Sequence, residues 1–205
     1  MDSGNVSAII SAIAGLAGVT IGAFLTYLKN KHAERLKDRK DGAYLAILVV
    51  SHLDRFTNGC WYVALDDGTS EGHPAGGDGT HQATVKPPSF KPLEIAVEWK
   101  ALPQDLMYDI LQIPDMQDHL EYRLANPGLD DPPDYRDFFW TRKRDYAELG
   151  LHVSSVAKRL RRHAGMPIVE SPPGEWNREV SLQEIIAQVD KERIELETRQ
   201  RVDIG

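Results

Sequence analysis

Asp134 to Ala164, DYRDFFWTRKRDYAELGLHVSSVAKRLRRHA, is the stretch whose reading decides the fold. Phe139, Arg142, Tyr146, Leu149, Val153, Val156 and Leu160 recur along it at alternating spacings of three and four. That is the period of one face of an α-helix, and it predicts a long helix packed along a narrow seam. Gly165 and Pro167 end it, because glycine accepts the left-handed conformation of a helix end and proline cannot continue the ladder.

Working outward, the neighbouring segments also read as helices. In LPQDLMYDILQI, residues 102–113, Pro103 suits a first helical position and Leu106, Ile110 and Ile113 share a face. Pro114 opens a second helix, DMQDHLEYRLA, closed by Asn126-Pro127-Gly128. After the linker MPIVESPPGEWNREV, a final helix is expected to start at a capping box, Ser181-Leu182-Gln183-Glu184, in which hydroxyl and carboxylate satisfy each other's backbone donors. Leu93, Ile95, Val97 and Trp99 alternate with Glu94, Ala96 and Glu98, a period of two that predicts one short extended segment. A lone strand makes no sheet, so the expected class is mostly α. Residues 66–92 are rich in Gly and Pro and nearly bare of large apolar groups, which reads as a long flexible loop.

The N-terminal part carries the second signal. Val6 to Leu28, VSAIISAIAGLAGVTIGAFLTYL, is a run of 23 positions without a charged side chain. As a helix it reaches about 35 Å, enough for one crossing of a hydrocarbon core of about 30 Å. Lys29, Lys31, Arg35, Lys37, Arg39 and Lys40 follow, whereas Asp2 is the only charged side chain before the run. Basic flanks face the cytoplasm, so the N-terminus is expected outside and the rest inside, with the six bases at anionic lipid headgroups. A secretory signal would need a basic start, a shorter apolar core and a small-residue cleavage site, and the sequence has none of these features. Ala14, Gly18, Gly22 and Thr26 recur every fourth residue with Ser11 and Gly15 beside them, a small face along which two membrane helices approach closely. The helix is expected to continue past the basic segment to about Leu65, with a broadly apolar second half from Tyr44 to Cys60. The expected organisation is thus an anchor over 1–28, a basic juxtamembrane and core helix over 29–65, the loop over 66–92, a helical body over 93–165, and a linker with the C-terminal helix over 166–205.

The glycine-rich span, the basic helix, Asp66-Asp67-Gly68, EWKALPQDLMYDILQIP (98–114) and YAELGLHVSSVAKRLRRHAGMP (146–167) together resemble a group of bacterial proteins that join one N-terminal span to a helical body. That resemblance implies architecture and bacterial origin. It transfers no activity and no functional residues.

The candidate chemical groups each have a plainer reading. Gly76-Gly77-Asp78-Gly79-Thr80 is similar to the phosphate-binding string of diacylglycerol and NAD kinases, which sits between a buried strand and a helix. Here polar residues precede it and Pro87-Pro88 follows, so it reads as loop. His73, Asp78 and His81 carry metal-ligand chemistry but lie in a glycine-rich segment that gives such ligands little support. Asp115, Asp118, His119 and Glu121 read as a solvated helix face. His52 and Asp54, two residues apart on a helix, point different ways. Cys60 lies among apolar neighbours as a buried, inert thiol. Lys158, Arg159, Arg161, Arg162 and His163 place cations at a helix C-terminus, where they also suit a phosphate or headgroup.

A formal charge of −7 argues against nucleic-acid binding, and the single cysteine excludes an intrachain disulfide. The expectation is a membrane-tethered, non-enzymatic interaction or scaffolding protein without a cofactor. Its expected partners are membrane lipids, further copies of itself and an unidentified protein. Two alternatives stand beside it: an effector or enzyme acting on lipids or nucleotides, and a phage-encoded or defence-related membrane protein.

Overall fold

The computed structural model describes residues 26–32, 42–129, 131–168, 172 and 174–203, and it divides into two compact units, residues 1–43 and 44–205. In the first, residues 26–32 are helical and exposed, and Lys31 Nζ lies 5.6 Å from the centre of the Tyr27 ring. Thr26, Lys29 and Lys31 fall in this segment. The proposed helix-contact residues Ser11, Ala14, Gly15, Gly18 and Gly22 lie outside the described residues, as do the bases Arg35, Lys37, Arg39 and Lys40. Among the described residues no helix is long and apolar enough to cross a membrane.

The second unit is mostly helical. Its helices are the segment 42–65, of which residues from Tyr44 onward belong to this unit (α1), Gln104–Leu111 (α2), Ile113–Leu124 (α3), Arg136–His163 (α4) and Arg178–Asp203 (α5). The seam read from the sequence is the core: Phe139, Arg142, Tyr146, Leu149, Val153, Val156 and Leu160 are all buried. Named pairs fix how the other helices lie on α4. Asp54 meets Arg161 and Asp66 meets Arg142, so α1 runs antiparallel to it. Glu179 meets Lys158 and Asp190 meets Arg144, so α5 does the same. Asp105 and Asp109 bind Arg159 while Glu121 accepts from Tyr146, which lays α2 and α3 end to end along a further side. Gly150 permits a close approach of α4 to α1 and α5: a Cβ there would stand 3.1 Å from Leu182 and 3.2 Å from Cys60.

The end of α4 is the one expected. Gly165 at φ 65° donates to the Arg162 carbonyl at 3.2 Å and Met166 to that of Arg161 at 2.9 Å, the two bonds that satisfy a helix terminus through a left-handed glycine. The start of α5 is not. Asn177, not Ser181, caps it, its Oδ1 accepting from Glu179 N at 2.8 Å and Val180 N at 3.2 Å. Asparagine caps as well as serine does, and starting earlier adds helical hydrogen bonds. Ser181 Oγ instead accepts from Trp61 Nε1 at 2.9 Å.

A second expectation also changes. Residues 93–99 contain no strand; 3₁₀ turns at Pro92–Glu94 and Trp99–Ala101 bracket them. Proline fixes the φ of a helical turn at Pro92, and among the described residues no strand pairs with this segment. From residue 94 on the alternation recorded burial instead, because Ile95, Val97 and Trp99 pack against the core while Glu94, Ala96 and Glu98 face water; Leu93 departs from it and is exposed. The strand pair among the described residues is Thr69–Ser70 against His73–Pro74, antiparallel around Glu71 and Gly72, both at positive φ. Tight hairpins demand that backbone conformation.

Candidate functional site

Segment 66–92 is fastened to the bundle at successive points. At its start Asp66 is buried and accepts five hydrogen bonds. Oδ1 takes Gly68 N at 3.1 Å and Thr84 Oγ1 at 2.8 Å; Oδ2 takes Thr84 N and Val85 N at 2.9 Å each and Arg142 Nη1 at 2.6 Å. Arg142 also donates to the Val85 carbonyl. Farther on, the Pro88 carbonyl accepts from Gln117 Nε2 at 2.7 Å, and Pro88 lies so close to Gly59 that a Cβ there would be 2.4 Å away. Phe90 is buried against Phe56, ring centres 5.9 Å apart. Burial pushes the Asp66 carboxyl up, but the donors around it outweigh burial and hold it below the usual carboxylate range.

Fastened this way, the segment forms one wall of a cavity of about 550 Å³ against the end of α3 and the start of α4. Leu124, Leu129, Phe138 and Phe139 give it apolar surface; His81, Gln82, Asn126 and Tyr135 add polar groups. His81 stands edge-on to Phe139, and its backbone N–H donates to the Pro133 carbonyl at 3.1 Å. Its Nδ1 lies 2.9 Å from the Asp67 carbonyl. A carbonyl only accepts, so Nδ1 carries a proton and donates to it. Tyr135, immediately before α4, adopts the left-handed region at φ 49° and ψ 40°, a conformation rare for an aromatic residue. Such strain is a mark of functional positions.

The groups singled out from the sequence are placed as follows. Gly76 to Thr80 form a closed turn in which Gly76 N donates to the Thr80 carbonyl at 2.9 Å and Thr80 Oγ1 to Asp78 Oδ1 at 2.6 Å. Neither a buried strand before it nor a helix after it is present. His73 sits in the exposed hairpin, apart from that turn, and among the described residues no three His, Cys, Asp or Glu side chains gather to hold a metal. Asp115, Asp118, His119 and Glu121 are exposed on α3, with Glu121 accepting from Gln117 and Tyr146. His52 is exposed, whereas Asp54 pairs with Arg161 and Arg178. Cys60 is fully buried, and burial pushes its thiol far up, away from the nucleophilic thiolate. At the basic end of α4, Lys158, Arg159 and Arg161 bind acids of other helices, and Arg162 and His163 stay exposed.

Two features escaped the sequence reading. The Asp66–Arg142 pair was half visible, since an arginine at a seam position signals a buried partner without saying which. An aromatic surface carried no signal at all: Trp61 contacts Tyr62 and Trp176 at ring separations of 5.0 and 5.2 Å, and Tyr62 and Trp176 are 56% and 63% exposed. Their proximity depends on α5 lying along α1. Comparisons with protein-family models, curated proteins and solved structures gave no match.

Proposed function

We propose that this chain is a membrane-tethered, non-enzymatic interaction module, held in a bacterial inner membrane by residues 6–28 with the N-terminus outside and the helical unit in the cytoplasm. The uncharged run and its one-sided basic flank support the anchor and its direction. In this reading Lys29, Lys31, Arg35, Lys37, Arg39 and Lys40 meet lipid headgroups, and the small face of the span joins copies of the chain.

The observation that carries the interaction role is the surface of Trp61, Tyr62 and Trp176. Tryptophan and tyrosine side chains left open to water beside one another are the composition of interface centres, where they give large contact area for little conformational entropy. Several charged groups are meanwhile engaged in holding the bundle together, as at Asp66–Arg142, Asp54–Arg161 and Glu179–Lys158.

A photo-crosslinking amino acid placed at Trp176 in the full chain, in cells, tests this. The expected result is a discrete protein adduct from position 176 and none from Leu93, which is more exposed. No adduct at 176, or identical smears from both positions, overturns the reading. A C-terminal reporter active only in the periplasm overturns the topology separately.

A further inference from the structure

We propose that the cavity between segment 66–92 and the corner joining α3 to α4 binds a small organic cation, a protonated or quaternary amine carried on an apolar body. Its volume of about 550 Å³ suits a small ligand, and Phe138, Phe139 and Leu124 supply apolar wall. Aromatic ring faces attract cations through their negative π surface.

The surrounding electrostatics select the same charge. Leu124, Ala125 and Asn126 bring the C-terminal end of α3 to the cavity, and that end of a helix carries negative partial charge. The N-terminal end of α4 would oppose a cation, but Asp131 already occupies it, its Oδ1 accepting from Asp137 N at 3.3 Å. Asp78 lines an adjoining hollow that shares His81, Gln82 and Tyr135 with the cavity. Arg136, the base next in sequence to Tyr135, is engaged with the Trp140 ring at 5.2 Å. The left-handed backbone at Tyr135 is the kind of local strain that a binding corner retains.

The full chain in nonionic detergent is titrated calorimetrically with benzyltrimethylammonium, benzyl alcohol and benzoate, three probes that share a ring and differ in charge. The cation is expected to bind about tenfold more tightly than the alcohol, with benzoate weakest. Phe138→Ala is expected to weaken the cation about tenfold, whereas Tyr108→Ala, an exposed position on α2, leaves it unchanged. Should Phe138→Ala fail to melt as the parent does, Tyr135→Asn carries the same test, because asparagine tolerates the left-handed conformation. Equal affinity for the three probes, benzoate binding most tightly, no saturable uptake of the cation, or binding indifferent to these cavity substitutions overturns the proposal.

Discussion

Arg142 Nη1 donates to Asp66 Oδ2 at 2.6 Å across 76 residues of chain, with the two side chains only 3% and 1% exposed. Removing two charges from water is costly, so such a pair fixes an arrangement more than it adds net stability. What it fixes here is the beginning of segment 66–92 on α4, and through Thr84 and Val85 the stretch that carries His81 and Gln82 to the cavity.

The two partners are unequal, and their substitutions are expected to differ. Arg142→Met leaves the Asp66 carboxylate with four other donated bonds. Asp66→Ala strands a buried guanidinium together with the Gly68, Thr84 and Val85 N–H groups, and is expected to cost about 3–5 kcal/mol. Urea denaturation of the full chain in nonionic detergent reads both. An Asp66→Ala loss no greater than that of Arg142→Met contradicts the role given to the backbone donors.

Two buried carboxylates are expected to respond to pH in opposite senses. Asp66 is held below the usual range, so its contribution is present above the unfolded value of about 3.9 and is lost as pH falls through its lower folded value. Asp145 is pushed up by burial, which outweighs the Arg123 guanidinium 2.9 Å from its Oδ2; that pair lacks the alignment of a hydrogen bond. Its favourable term is present below about 3.9 and is lost as pH rises through its raised folded value. Asp66→Asn should therefore be most damaging at neutral pH and less so below about pH 4, while Asp145→Asn should compare best with the parent at neutral pH. Melting temperatures at the two pH values check this, and parallel pH profiles for both variants contradict it.

Gly68 and Gly72 both have positive φ, at 77° and 80°, yet only Gly68 is hemmed in. A Cβ there would lie 2.3 Å from the Phe139 ring, while at Gly72 nothing lies within 4 Å. Gly72→Ala should cost about 1 kcal/mol of backbone strain. Gly68→Ala should cost a further 1–3 kcal/mol or so from overpacking, and should also displace the Phe139 and His81 wall of the cavity. Thermal unfolding ranks the two, and equal melting temperatures would contradict the close packing of Gly68 against Phe139.

What the sequence made legible was periodicity. The spacing from Phe139 to Leu160 identified both α4 and its buried face, because an amphipathic repeat is a local property that tertiary packing preserves. Local signals misled where two local solutions competed: Asn177 and Ser181 are both good caps, and only the fit of Ser181 to Trp61 separates them. Over residues 94–99 the period of two described burial against α-helices instead of pairing in a sheet, and Leu93 fell outside it, on the surface. The cavity was illegible because His81, Leu124 and Tyr135 come from three separate segments, joined by contacts such as Asp66–Arg142 that no spacing rule predicts.

In the proposed membrane helix over 6–28, Gly18 and Gly22, four residues apart in the sequence, would share the small face with Ala14 and Thr26. Lipid tails are as apolar as leucine side chains, so burial does not drive membrane helices together; close backbone packing does, and small residues permit it. Replacing both glycines with Leu keeps the run uncharged and apolar, which preserves insertion, but places side chains where two backbones would meet. Changing Ile9 and Ile10 to Leu exchanges one large apolar side chain for another, so it adds no new bulk where two backbones would meet. In a membrane-dimerisation reporter carrying residues 1–40, Gly18→Leu/Gly22→Leu is expected to reduce association and Ile9→Leu/Ile10→Leu to leave it at the parent level. Parent-level association of the glycine variant would assign any oligomer to surfaces beyond the membrane, with the exposed Tyr62 and Trp176 the first positions to substitute.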